Sequence, residues 1–98
     1  MIRIEIPYHL QVLAGTGAVV ELEIKGQVTL GKTLDALESR YPMLKGTIRD
    51  HVTRKRRPMI RFFACRKDYS DLDPDTQLPE EVTSGQERLL IIGAIAGG

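Results

Sequence analysis

Four consecutive apolar residues, Leu89 to Ile92, stand between Arg88 and Gly93 near the C-terminal end. The run is too short for a helix and has no polar side, so it reads as a strand apolar on both faces, as expected of a central position in a sheet. Gly93-Ala94-Ile95-Ala96 comes next, and then the pair Gly97-Gly98. A strand inside a fold normally leads into a turn, whereas this one leads into small residues and two glycines. Lacking a Cβ, Gly97 and Gly98 fit a channel too narrow for any other residue. Fully extended, the stretch from Gly93 to Gly98 spans roughly 20 Å. Frayed chain ends are usually polar, and Ala94, Ile95 and Ala96 are not. Residues 93–98 are therefore expected to form a flexible tail that inserts into another protein.

A central strand needs neighbours, and the rest of the chain supplies them. Ile2, Ile4 and Ile6 alternate with Arg3 and Glu5, the period-two pattern of a strand with one buried face. Pro7 ends that pairing, and Gly15-Thr16-Gly17 supplies a turn. Val20, Leu22 and Ile24 then alternate with Glu21, Glu23 and Lys25, predicting an N-terminal hairpin. Thr29 suits a helix N-cap, and Leu30, Leu34, Leu37 and Tyr41 recur at helical spacing before Pro42 stops the helix. Leu44, Ile48 and Val52 suggest a further short helical piece interrupted by Gly46.

Met59 to Cys65 reads as a third strand, with Ile60, Phe62 and Ala64 on one face and Arg61, Phe63 and Cys65 on the other. A short strand or turn is expected within Lys67 to Leu72. Ser70 to Gly85 reads as irregular connection anchored by Leu72, Leu78 and Val82. If the last strand lies beside the first, the sheet is mixed and one main helix packs on one face. The predicted fold is α+β, a β-grasp of ubiquitin type, with four or five strands in a single domain over residues 1–98.

Composition narrows the function. Charged residues make up 28 % of the 98 residues and hydrophobic residues 42 %, as in an ordinary globular domain. A net charge of +1 gives no general attraction to nucleic acid or anionic membrane. The single cysteine forms no internal disulfide, which fits a reducing, cytoplasmic setting. Met1 to Ile6 alternates and is neither a signal peptide nor a membrane span.

These residues together resemble a known family, the ubiquitin-like sulfur carriers of the MoaD/ThiS type. That family includes the small subunit of molybdopterin synthase and the thiazole-pathway carrier. The resemblance rests on the Ile-rich first strand, Thr29 to Pro42, the strand after Arg57-Pro58, and Ile91 to Gly98. Two loops depart from it: Cys65-Arg66-Lys67-Asp68 stands where the family makes an Asn-Gly turn, and Gly85-Gln86-Glu87 where it favours Gly-Asp-Glu.

The resemblance implies that Gly98, with Gly97 beside it, is the working residue. An ATP-using adenylyltransferase of the ubiquitin-activating type would activate its carboxylate. A sulfur donor, a desulfurase or rhodanese persulfide, would convert it to a thiocarboxylate. An acceptor enzyme such as the molybdopterin synthase large subunit would then take the sulfur. The carrier itself would be no enzyme and would hold no cofactor. The same activation also serves a protein modifier joined to lysines through Gly98, and the sequence hardly separates the two.

Other features have plainer readings. Asp71, Asp73 and Asp75 have calcium-loop spacing, but Thr76 and Val82 occupy the positions that need Gly and Glu. His9 and His51 have no partners at metal-ligand spacing and read as surface or turn histidines. Cys65 has no paired His base and reads as a structural or incidental thiol, with a nucleophile of pKa lowered by Arg66 and Lys67 as the alternative. Arg54 to Arg57 reads as a solvated basic loop, with docking of Arg56 and Arg57 to an acidic partner patch as the sharper alternative. One helix covers one sheet face, so Phe63 and Ile92 on the other are expected to dock a partner, together with Ala94, Ile95 and Ala96 of the tail.

Overall fold

A computed structural model of the chain describes residues 1–93. In chain order the elements are β1 (Ile2–Glu5), α1 (Tyr8–Ala14), β2 (Val19–Leu22), α2 (Leu30–Arg40), β3 (Ile60–Ala64), β4 (Lys67–Asp68), α3 (Glu80–Thr83) and β5 (Leu89–Gly93). The strands form one sheet of 5 in the order β2-β1-β5-β3-β4. β5 lies parallel to β1 and antiparallel to β3, and the remaining pairs are antiparallel. This is the expected mixed β-grasp sheet, with the doubly apolar strand at its centre.

Alternation decides which face is dry. Ile2, Ile4, Ile60, Phe62, Leu89 and Ile91 are buried on the side covered by Leu30, Leu34 and Leu37 of α2. The side chain of Thr29 accepts from the Lys32 amide at 3.1 Å, so the predicted cap starts the helix. Leu78 and Val82 are buried and Leu72 packs on the core, as expected of loop anchors, and Tyr69 joins them.

Three expectations are corrected. Ser70 to Gly85 is not wholly irregular, because the Pro79 carbonyl accepts from the Val82 and Thr83 amides at 2.9 and 3.1 Å and starts α3. β1 and β2 pair, but α1 joins them in place of a tight hairpin turn. Pro7 presets an extended φ of −68° and its carbonyl accepts from the amides of Leu10 and Gln11, both at 3.0 Å. Gly15, at φ 70°, closes the helix in the left-handed region. Pro7 and Gly15 are thus the two caps of a helix.

The helical piece expected over Leu44, Ile48 and Val52 does not form. One 3-10 turn, Pro42–Leu44, leads into a loop in which Leu44 and Ile48 are buried while Val52 is 74 % exposed. Gly46 at φ 85° breaks the helical path, and side-chain contacts hold the loop beyond it. The buried Arg49 grips both carboxylate oxygens of Glu38 on α2, at 2.9 and 3.0 Å, and reaches Asp35 at 2.8 Å. Burial opposes its charge, but the two carboxylates outweigh it and raise its pKa further. Asp50 accepts from the Val52 and Thr53 amides, both at 2.9 Å, and these two bonds lower its pKa.

Candidate docking face and tail root

β5 ends in the middle of the sheet, and its last residue is tightly placed. Gly93 pairs with Ile60 across the β3–β5 ladder. A Cβ there would lie 2.9 Å from Ile60 Cδ1 and 3.0 Å from His9 Cε1. The imidazole of α1 therefore rests where any side chain at position 93 would need to go. Gly93 belongs to β5 and not to the tail. Gly97, Gly98, Ala94, Ile95 and Ala96 lie outside the described residues.

The face of the sheet away from α2 carries the predicted apolar patch. Phe63 stands opposite Leu90, and Arg61 opposite Ile92, across β3 and β5. Phe63 and Leu90 are half-buried, while Ile92 is 50 % exposed. They floor an open depression of about 890 Å³, edged by Arg3, Cys65, Glu81, Glu87 and Arg88. The segment from α3 to Gln86 borders this depression and leaves Ile92 open, so among the described residues no loop folds over the patch.

The rim charges are held in place. Arg3 donates to the Gly85 carbonyl at 2.8 Å and to that of Gln86 at 3.3 Å, and Arg88 pairs with Glu5 at 2.7 Å. A dry floor inside a fixed polar rim is the usual anatomy of a protein-binding patch.

Cys65 is the plain, unactivated thiol that the sequence favoured over a nucleophile. Its Sγ lies 3.8 Å from Glu81 Oε2, and its pKa is raised, first by desolvation and then by Glu81 and Glu87. All of these raise the pKa, so the thiol is not activated.

The basic run is largely spoken for. Arg56 donates to the carbonyls of Ile60 at 2.7 Å and Ser70 at 3.0 Å, and pairs with Asp71 at 3.0 Å. It thereby fastens the loop to β3. Arg54 pairs with Asp35, and Arg57 donates to the Gly46 carbonyl at 2.7 Å while staying exposed. Of the former calcium candidates, Asp71 holds Arg56 and Asp73 accepts the Asp75 amide at 2.8 Å in a turn. Among the described residues no three His, Cys, Asp or Glu side chains come together as a metal site.

The sequence puts Phe63 and Ile92 on the open sheet face but gives no sign that His9 packs against Gly93. The signal for α1 itself lay in Pro7 and Gly15, which mark a helix when taken as a pair.

No protein-family model matches the sequence. No curated protein sequence matches it significantly. Solved structures do resemble it. CysO of Mycobacterium tuberculosis superposes with a TM-score of 0.75 at 20 % identity, covering 97 % of this chain and 100 % of that one. Small archaeal modifier protein 1 of Haloferax volcanii gives 0.73 at 16 %, covering 95 % of each chain. A chain of the BexX/CysO complex from Amycolatopsis orientalis gives 0.74 at 22 % and full coverage of both. The fold is that of ubiquitin-like proteins. Among the described residues no helix is long and apolar enough to cross a membrane.

Proposed function

We propose that this chain is a sulfur carrier whose cargo rides on the carboxyl group of Gly98. The observation that carries the reading is the union of a central strand, β5, with an open apolar patch beside it and a glycine pair a few residues beyond it. A partner enzyme seats on Phe63, Leu90 and Ile92, and the residues from Ala94 onward thread into its active site.

The chemistry belongs to the partner. A carboxylate oxygen of Gly98 attacks the α-phosphate of ATP, and pyrophosphate leaves. A persulfide sulfur from the donor then displaces AMP at the acyl carbon. A thiol reduces the resulting acyl disulfide and leaves the thiocarboxylate. Without side chains at positions 97 and 98, attack on the acyl carbon is unhindered. The acceptor is a molybdopterin synthase large subunit or another enzyme that builds a thiazole, cysteine or a thiolated tRNA. The existence of a BexX/CysO complex supports a carrier that works against a partner protein.

The likeness to small archaeal modifier protein 1 favours a second reading, attachment to target lysines through the same activated carboxyl. Intact and top-down mass spectrometry after co-expression with the activating enzyme separates the two. Exchange of oxygen for sulfur changes the mass almost as methionine oxidation does, and the chain has 3 methionines. The added mass must therefore map to Gly98 and react with a thiol alkylator in Cys65→Ser. Thiocarboxylate there supports carriage. Conjugates that survive denaturant and reductant support modification. Only free carboxylate, with neither product, removes both.

A further inference from the structure

We infer that the exposed side of α1 is a second docking surface, taken by the enzyme that adenylates Gly98. The inference rests on the proposed function. α1, Tyr-His-Leu-Gln-Val-Leu-Ala, contains no Asp, Glu, Lys or Arg. Leu10 is buried and Ala14 packs on the core, so the helix is anchored by one side. Tyr8 and Val12, one turn apart on the opposite side, are 76 % and 64 % exposed, and Leu13 is exposed as well. A surface helix normally turns charge to water, as α2 does with Lys32, Asp35 and Arg40. An uncharged helix showing Tyr, Val and Leu is unusual unless something covers it.

Position and reach say what covers it. His9 of α1 packs against Gly93, so the helix forms one wall of the tail root, and Ile92 on the far sheet face forms the other. Ala94 to Gly98 is 5 residues, a length that extends no further than about 18 Å. An enzyme that brings ATP to Gly98 must therefore lie against the mouth of the tail. α1 rises only about 1.5 Å per residue from His9, so Tyr8, Val12 and Leu13 stand at that mouth. The enzyme would clasp the end of β5 from both sides, sheet patch and helix.

The test is ATP–pyrophosphate exchange by the activating enzyme with the full chain as substrate. Tyr8→Ser/Val12→Ser is expected to raise KM for the carrier at least about tenfold while kcat is kept, because neither residue reaches the acyl group. The rise should persist at high salt, since no charge is removed. Glu23→Ser, just past the end of β2 that lies farther along the chain from α1, should leave KM unchanged. Thermal melts check folding, and Val12→Ser alone carries the test if the double variant melts early. Wild-type KM in both variants overturns the inference while the carrier reading stands. An equal rise in Glu23→Ser also overturns it. Normal activation with lost sulfur delivery gives the helix to the acceptor enzyme instead and overturns the assignment. Failure of the wild-type chain to be activated removes the carrier reading, and the inference with it.

Discussion

Replacing Cys65-Arg66 by Asn-Gly should stabilise the protein. Ala64 pairs with Lys67, so Cys65 and Arg66 alone make the turn between β3 and β4. Their φ angles are 51° and 66°, both in the left-handed region that side chains with a Cβ avoid. Two positive φ values define the turn type whose twist suits a hairpin, and Asn-Gly is its preferred sequence. Left-handed backbone costs an ordinary residue about 1 kcal/mol or more at each position. Asn tolerates it and Gly is indifferent to it, so relief is about 2 kcal/mol. Glycine at 66 returns roughly 0.4–1 kcal/mol by loosening the unfolded chain. The Cys65 contact with Glu81 is long and exposed and adds little. The net gain is about 1 kcal/mol, or a Tm rise of about 4–8 °C for a domain of this size. Urea unfolding should show a higher midpoint at constant m. A midpoint unchanged or lowered at equal m refutes the reasoning, and Arg66→Gly alone should recover part of the gain.

Arg49→Met should cost about 3–5 kcal/mol, because it leaves Glu38 buried without its partner, whereas Glu38→Leu/Arg49→Met should regain most of the loss; a single variant within about 1 kcal/mol of wild type in urea would sink this. Ser70 and Arg61 lower the Asp68 pKa to about 2, Ser70 foremost. The folded value is depressed, so the stability it brings is present above the unfolded pKa near 4 and lost as pH falls towards 2. Asp68→Asn should therefore melt below wild type at neutral pH and converge with it through that window; a constant difference in melts from pH 7 to 2 contradicts the assignment. Cys65 should alkylate with a midpoint above that of free cysteine, and Glu81→Gln should lower it; a midpoint at or below free cysteine in a pH series with iodoacetamide rejects the account of the thiol.

Legibility in the sequence tracks the range of the interaction that holds each part. Ile2, Ile4 and Ile6, and likewise Ile60, Phe62 and Ala64, bury one face every second residue, so their strands are written locally. Thr29 and the Leu30-Leu34-Leu37 spacing write α2 in the same way. The centrality of β5 is legible because Leu89 to Ile92 is apolar on both sides. α1 is not, since 7 residues hold less than two full periods of the helix and only Leu10 is fully buried. The loop after Leu44 escapes for a different reason. Its conformation comes from Arg49 on Glu38, Arg56 on Ser70 and Arg57 on Gly46, contacts 11 or 14 residues apart with no period to betray them. At the site, alternation exposes Phe63 and Ile92, but His9 becomes relevant only once α1 places it on Gly93.

The placement of β5 explains why a tail-bearing chain would use this fold. Leu90 is flanked by Glu5 on β1 and by Phe63 on β3, so the strand is held by a ladder on each side. An edge strand would peel when a partner pulled on the tail, because only one ladder resists. Here Leu90 is held on both sides, and Gly93, three residues on, stays in the ladder with Ile60 of β3. Its ordering cost is met in folding and not again at each docking event. Leu90 and Ile92 of the proposed docking patch lie on the same strand, so their side chains and Gly93 keep one register. A partner that recognises Ile92 and Leu90 has thereby fixed where Gly93 stands, and only the 5 residues beyond it remain to be captured. On this argument, mutations that loosen β5 without touching its outer face, such as Ile91→Ala, should weaken partner binding beyond the loss of stability alone. The discriminating measurement is affinity at a temperature where the variant is still fully folded; wild-type affinity there would show that the rigidity of the strand contributes nothing to docking.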